Sequence, residues 1–139
     1  MNAPKLYEYQ ERVGELLLAG KSVVLQAPTG AGKTMAALVP FLHARRNLSA
    51  KEFPRKCIYS VPMRVLATQF YEEWGKVVSR FRWGGELDVS IQTGAEAADP
   101  KLEGDLIFTT IDQTLSNYLG IPYGLGAGQA NLNAGAVLS

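Results

Sequence analysis

The sequence predicts an α/β domain with a mostly parallel sheet and helices on both faces of that sheet. Four short apolar runs are typical of buried strands: residues 22 to 27, 57 to 61, 88 to 92 and 105 to 109. Stretches with helical periodicity alternate with them: residues 5 to 19, 33 to 46, 64 to 78 and 111 to 119. Strands separated by helices favour parallel pairing, and such sheets bind ligands at the carboxyl ends of their strands.

Glycine and proline mark where these segments end. In the first helix the apolar side chains fall on one face, and Gly20 predicts its end. Pro40 must either kink the second helix or end its first portion, because proline lacks the amide that an interior helical position donates, and we predict a break near it. Residues 47 to 54 predict a loop. Residues 120 to 139 hold five of the chain's fourteen glycines and no charged side chain, which predicts a loop or a frayed end.

Composition narrows the class of protein. The chain has 139 residues, of which 47% are hydrophobic and 19% charged, as expected for one globular domain. Its net charge is +1, so any nucleic-acid binding must come from locally placed charges. Cys57 is the single cysteine, and the N-terminus is too charged for a signal peptide. With no apolar stretch of about 18 residues, we expect a cytoplasmic protein with no membrane partner.

The segment APTGAGKT matches the phosphate-loop pattern, except that alanine replaces the first glycine. A predicted strand precedes it and a predicted helix follows, so its backbone N–H groups converge at the positive end of a helix dipole. Lys33 supplies a cation for the β and γ phosphates, and Thr34 supplies a hydroxyl ligand for Mg²⁺. We therefore predict that ATP and Mg²⁺ bind at Ala27, Pro28, Thr29, Gly30, Ala31, Gly32, Lys33 and Thr34. The alternative is an ordinary glycine turn.

Further motifs follow in an order that resembles the first motor domain of superfamily 2 helicases, a P-loop NTPase domain with a RecA-like fold. Tyr9 and Gln10 resemble the family's adenine-recognising glutamine motif. PMRVLATQ, residues 62 to 69, resembles motif Ia, which implies a nucleic-acid phosphate contact from Arg64. The resemblance implies backbone contacts also from Thr93 and Gly94, and from Thr109 and Thr110 of the motif Ib-like segment FTTIDQTL.

The combination of TTIDQ, PMR and the tail NLNAGAVLS looks most like the CRISPR-associated helicase-nucleases of type I systems. That resemblance implies an ATP-dependent DNA helicase or translocase that acts on single-stranded DNA beside a Cascade-like CRISPR complex. Its further partners would be the remaining motor domain and a nuclease domain. Two alternatives stay open: an RNA helicase of the same superfamily, and a truncated nucleotide-binding module without catalysis.

The family's hydrolytic Asp-Glu-x-His motif does not occur in this sequence. The one acidic pair, Glu72 and Glu73, falls inside a predicted helix and is expected to face solvent. We therefore expect residues 1 to 139 to be the N-terminal part of the ATP-binding domain, incomplete at its C-terminus and unable by itself to hydrolyse ATP. Cys57 and Trp74 are expected in the core and His43 on a helix, either at the surface or partly buried, whereas Trp83 suits either packing or base stacking.

Overall fold

The computed structural model describes residues 5 to 46, 53 to 80, 87 to 94 and 102 to 119. The chain divides into two compact units, Met1–Arg55 and Lys56–Ser139. Within the described ranges, no helix is long and apolar enough to cross a membrane. Trp83, most of the loop predicted at 47 to 54, and the predicted tail at 120 to 139 lie outside the described residues.

Helix α1, Glu8–Leu18, opens the first unit. Acidic side chains in its first turn, Glu8 and Glu11, suit the positive end of the helix dipole. Tyr7 is the N-cap residue, and its N–H donates to the Gln10 carboxamide oxygen at 2.8 Å. This bond gives a partner to an amide that the helix itself cannot satisfy.

The end of α1 follows the predicted stop at Gly20. That glycine has a φ of 76°, a left-handed conformation that side chains disfavour. The N–H of Gly20 donates to the Leu17 carbonyl and the N–H of Lys21 to the Leu16 carbonyl, each at 2.9 Å. These two crossed bonds close the last turn of the helix.

Helix α2, Lys33–Arg46, runs through Pro40 without interruption, so the predicted break near that residue is wrong. Pro40 is buried, and its ring lies against α1 at Gly14, where an added Cβ would be 3.3 Å from Pro40 Cγ. Burial of the ring offsets the backbone hydrogen bond that proline cannot donate. The pairing of α1 with α2 thus decides a local conflict that the sequence leaves open.

The segment at 22 to 27, predicted as a buried strand, has no regular secondary structure. Its side chains alternate between exposed and half-buried, as in a strand, but Val24 is fully exposed. The predicted strand is therefore wrong.

The second unit contains the described sheet. Its elements are β1 Cys57–Val61, α3 Arg64–Arg80, β2 Val89–Gln92, β3 Leu106–Thr110 and α4 Ile111–Leu119. Strand β3 lies between β1 and β2, and both pairings are parallel. The predicted α/β class with a parallel sheet is confirmed, and the bounds of β1 and α4 match the prediction.

Aromatic side chains form the core between the sheet and α3. Tyr59 lies opposite Phe108 in the β1–β3 register, and their ring centroids are 5.7 Å apart. Phe70 of α3 lies on both, with its centroid 5.5 Å from that of Tyr59 and 6.4 Å from that of Phe108. Full burial of a ring such as Phe108 stabilises the fold by about 1.5 to 3 kcal/mol. Trp74, also in α3, is buried as predicted.

A short network joins the amino ends of the three strands. The Asp88 carbonyl accepts from the N–H groups of Asp105 at 2.8 Å and Leu106 at 3.0 Å, while the Asp88 N–H donates to the Asp105 carboxylate at 2.9 Å. Cys57 N–H donates to the Asp105 carbonyl at 2.8 Å. Cys57 was predicted in the core but is only half-buried, and this burial raises the pKa of its thiol to about 11.

Helix α4 is turned with its polar side inward. Gln113 and Asn117 are buried, and the Gln113 amide Nε2 donates to Asn117 Oδ1 at 3.3 Å. Its large apolar side chains are exposed instead: Ile111, Leu115, Tyr118 and Leu119. An amphipathic helix ordinarily buries the opposite face, so the periodicity of this helix predicted its existence but not its orientation.

Candidate nucleotide and nucleic-acid sites

The phosphate loop joins the irregular segment at 22 to 27 to the first turn of α2. Gly30 and Gly32 have φ of 80° and 87°, values that other residues rarely adopt. Helix α2 begins at Lys33, directly after the second of them. The main chain therefore turns sharply into the helix, as the sequence predicted, and the helix N-terminus supplies partial positive charge there.

Gly32 is also required by its neighbours. A Cβ at this position would lie 2.5 Å from Gln10 Nε2 and 3.4 Å from the Tyr9 hydroxyl oxygen. At Gly30 an added Cβ would meet nothing within 4 Å. The loop therefore packs against the start of α1 at Gly32, whereas the space around Gly30 is empty.

Lys33 lies on the exposed side of the loop. Its ammonium donates to the Ala27 carbonyl, with 2.7 Å between Nζ and the oxygen. This bond holds the cation across the first residue of the loop, where a phosphate oxygen could replace the carbonyl as its partner. Thr34, the predicted Mg²⁺ ligand, is half-buried in the first turn of α2.

Gln10, predicted to recognise adenine, has another use in this structure. Its side chain is only 3% exposed. The oxygen accepts from the Tyr7 N–H, and the amide Nε2 donates to the Gly32 carbonyl at 3.0 Å. Each end of the carboxamide therefore makes one bond within the chain, which leaves one amide hydrogen and one oxygen lone pair for a contact with adenine.

Tyr9 touches the loop beside Gln10, a contact that the sequence did not predict. Its hydroxyl donates to the Ala31 carbonyl. Helical periodicity placed Tyr9 only on the apolar face of α1, because the period gives the direction of a side chain and not what its far end reaches. Its place beside Gln10 is the one sequence signal that links it to the loop.

The residues of the loop fit a polyphosphate with Mg²⁺. Two glycines leave the backbone open to close approach, and Lys33 and the start of α2 provide positive charge. Within the described ranges, no three His, Cys, Asp or Glu side chains cluster as a metal site. Of the described residues, Thr34 with its hydroxyl is the one that the phosphate-loop pattern assigns to the metal.

The predicted nucleic-acid contacts gather at one edge of the sheet in the second unit. Arg64 begins α3 just after β1 and is exposed. Thr93 and Gly94 follow β2, with Thr93 buried and Gly94 exposed. Thr110 ends β3. Because the strands are parallel, their carboxyl ends share an edge, so the structure brings these positions together as expected for a site in an open sheet.

The two threonines of the motif Ib-like segment point inward. Thr109 is fully buried, and its hydroxyl donates to the Thr110 carbonyl at 3.4 Å. Thr110 is 5% exposed, and its hydroxyl accepts from the Gln113 N–H at 3.4 Å, which caps α4. Neither side chain has the free surface that a phosphate contact needs, so in this arrangement Arg64 and Gly94 are the exposed members of the predicted set.

Other singled-out residues take ordinary positions. His43 is exposed on α2, and Glu72 and Glu73 are exposed on α3. The solvent-facing prediction for the acidic pair and the surface prediction for the histidine are therefore confirmed.

Comparison with known proteins agrees with these motifs. A model of the DEAD/DEAH box helicase family matches residues 7–122. The DEAD-box ATP-dependent RNA helicase CshC of Bacillus cereus is 34% identical over 93 residues, which cover 66% of this chain and 22% of that protein. The ATP-dependent RNA helicase DBP10 of Yarrowia lipolytica is 36% identical over 94 residues, covering 68% of this chain and 10% of that protein.

A third relative carries a different name. The ATP-dependent DNA helicase DDX31 of Dictyostelium discoideum is 32% identical over 71 residues, which cover 48% of this chain and 8% of that protein. The matched part of each of these relatives is thus less than a quarter of its length. The family match spans most of the sequence, and the chain belongs to the DEAD/DEAH box helicase family.

Proposed function

We propose that this chain binds ATP with Mg²⁺ at residues 27 to 34 and is the ATP-binding part of a helicase. The observation that supports this most is the geometry of the loop: two left-handed glycines lead into the N-terminus of α2, and Lys33 lies over the loop. This arrangement is suited to a chain of phosphates, because backbone N–H groups and a cation meet at one point.

The loop amides, Lys33 and Thr34 have different parts in binding. The loop amides and Lys33 hold the phosphates, and Lys33 exchanges its Ala27 carbonyl partner for a phosphate oxygen. The Thr34 hydroxyl is the protein ligand for Mg²⁺, which neutralises phosphate charge when it is bound. Binding alone does not hydrolyse ATP, since the attacking water must also be oriented and the developing charge neutralised. We therefore expect the chain by itself to bind without turnover.

Replacement of Lys33 by alanine tests the nucleotide site. We expect calorimetric titration with MgATP to show a rise in Kd of about tenfold or more, because a charge-assisted contact is worth about 1.5 to 3 kcal/mol. Lys21→Ala is the matched control, since Lys21 is an exposed lysine of the same unit outside the loop. Equal affinity in the wild type and Lys33→Ala would refute the nucleotide site.

We further propose that the helicase acts on DNA in CRISPR interference, with the remaining motor domain, a nuclease domain and a Cascade-like complex as partners. The support is the sequence combination TTIDQ, PMR and NLNAGAVLS. An RNA substrate is the competing candidate, and the names of CshC and DBP10 favour it. The distinguishing measurement is ATPase stimulation of the full-length protein by single-stranded DNA and by RNA of the same sequence. Stimulation by RNA alone would exclude the DNA proposal.

Arg64 provides a separate test of the nucleic-acid edge. We expect Arg64→Ala to weaken single-strand binding equally for all sequences and to lower the slope of log K against log salt by about 0.7, the value for one lost phosphate contact. Arg80→Ala is the control, because Arg80 is an exposed arginine at the other end of the same helix. If both variants keep the wild-type slope, Arg64 is a surface residue and no more.

A further inference from the structure

Two neighbouring side chains of α1 hold two consecutive carbonyls of the phosphate loop. The Tyr9 hydroxyl donates to the Ala31 carbonyl. The Gln10 amide Nε2 donates to the next carbonyl, that of Gly32, at 3.0 Å. Gly32 itself also lies close to Tyr9, since a Cβ on Gly32 would be 3.4 Å from the Tyr9 hydroxyl oxygen.

The orientation of these carbonyls fixes the orientation of the loop amides. A peptide unit is planar, and in its trans form the C=O and the following N–H point in opposite directions. All described peptide bonds are trans. When the Ala31 carbonyl points at Tyr9, the Gly32 N–H must therefore point away from α1, and the same holds for the Gly32 carbonyl and the Lys33 N–H. These N–H groups belong to the part of the loop that a polyphosphate would contact.

We propose that Tyr9 is a positioning residue for the phosphates of a nucleoside triphosphate. Its hydroxyl locks the peptide between Ala31 and Gly32 so that the Gly32 N–H faces the bound polyphosphate. This inference rests on the proposed function of the loop and adds a residue outside the loop to its machinery.

The loop needs such a lock because of its composition. Glycines at 30 and 32 flank Ala31, and a glycine can rotate through conformations that a side chain would forbid. The same freedom that allows φ of 80° and 87° at these glycines also allows the peptide between Ala31 and Gly32 to turn over. A hydrogen bond from a residue on a helix restricts that rotation without placing a side chain in the path of the phosphates.

The contact with the loop distinguishes Tyr9 from Tyr7, the other tyrosine at the start of α1. The two rings are stacked with centroids 6.2 Å apart, but Tyr7 is 67% exposed. Gln10 makes one hydrogen bond to the loop, at Gly32, and one to the start of α1, at Tyr7. The hydroxyl of Tyr9 is thus the group whose removal changes the loop while leaving the helix cap in place.

The test compares Tyr9→Phe with Tyr7→Phe in the whole chain, using MgATP, inorganic tripolyphosphate and adenosine as probes. We expect Tyr9→Phe to raise the Kd of both MgATP and tripolyphosphate by roughly two- to tenfold, the effect of one neutral hydrogen bond. Adenosine binding and all three affinities of Tyr7→Phe should stay unchanged. Tyr9→His, which keeps a ring N–H donor, should recover part of the affinity for tripolyphosphate.

Amide spectra of ¹⁵N-labelled protein give a readout that a purely structural role would not move. With tripolyphosphate, the Gly32 resonance should shift in the wild type and shift less in Tyr9→Phe, while the Gly30 response is retained. The same spectra report whether the variant is folded. Unchanged tripolyphosphate affinity in folded Tyr9→Phe would overturn the inference even where Lys33→Ala abolishes binding. If Lys33→Ala has no effect either, the proposed function itself fails, and the inference fails with it.

Discussion

At the residue scale, Gly30 and Gly32 have nearly the same φ but different surroundings. Replacing each of them by alanine therefore separates the cost of a left-handed φ from the cost of a steric collision. Alanine at either position must adopt a left-handed φ, at about 1 to 2 kcal/mol. At Gly32 the new methyl group would also collide with Gln10 Nε2 at 2.5 Å. We expect urea unfolding to show a larger loss of stability for Gly32→Ala than for Gly30→Ala, by about 1 to 3 kcal/mol, because the collision displaces a buried amide from its partner.

The paired variant Gly32→Ala with Gln10→Ala separates these terms. Removal of the Gln10 side chain removes the collision, so the added cost of alanine at position 32 should fall to that measured at position 30. An equal loss in Gly30→Ala and Gly32→Ala would show that the loop does not rest on Gln10 in solution.

At the scale of the element, the contact between Pro40 and Gly14 couples α2 to α1. Alanine is favoured over glycine inside a helix by about 1 kcal/mol, but a methyl group at Gly14 would lie 3.3 Å from Pro40 Cγ, which is a tight contact. We expect Gly14→Ala to stabilise the chain less in the wild type than in a Pro40→Ala background, where the ring is gone. A double-mutant cycle measured by thermal unfolding gives the coupling energy.

Pro40→Ala is informative by itself. It restores a helix donor and a residue that helices favour by about 3 kcal/mol, but it removes buried ring atoms worth about 0.8 kcal/mol per CH₂. We expect no loss of helix content in circular dichroism, because α2 is continuous already. Additive effects of Gly14→Ala and Pro40→Ala would contradict direct packing between the two positions.

At the scale of the whole molecule, low net charge and exposed apolar surface act together. The formal charge is +1 at pH 7, and the isoelectric point is about 7.8. The exposed apolar residues of α4 add surface that can associate when charge repulsion is weak. We expect turbidity to be greatest near pH 7.8 and to fall towards pH 6, as positive charge accumulates.

A charge-matched pair of variants tests whether α4 is responsible. Leu115→Lys with Leu119→Lys adds two positive charges and removes apolar surface, whereas Gln69→Lys with Ser79→Lys adds the same charge at exposed polar sites of α3. The α4 pair should reduce turbidity at pH 7.8 more than the α3 pair. Equal effects would assign the association to net charge alone.

The sequence by itself determined the parallel α/β class, the bounds of β1 and α4, and the phosphate loop. These features depend on local information: periodicity gives the element, and glycines beside a lysine at fixed spacing give the loop. The burial of Trp74 also followed from helical spacing. Each could be predicted because the signal lies within one element or one turn.

Tertiary structure alone decided the features that need two distant segments. Pro40 lies inside α2, where its ring packs against Gly14 of α1. Gln10 and Tyr9 reach the loop across 22 positions of sequence, and α4 buries its polar face. Periodicity gives the direction in which a side chain leaves its own element. The residue that it contacts depends on packing and hydrogen bonds between elements, which no local pattern encodes.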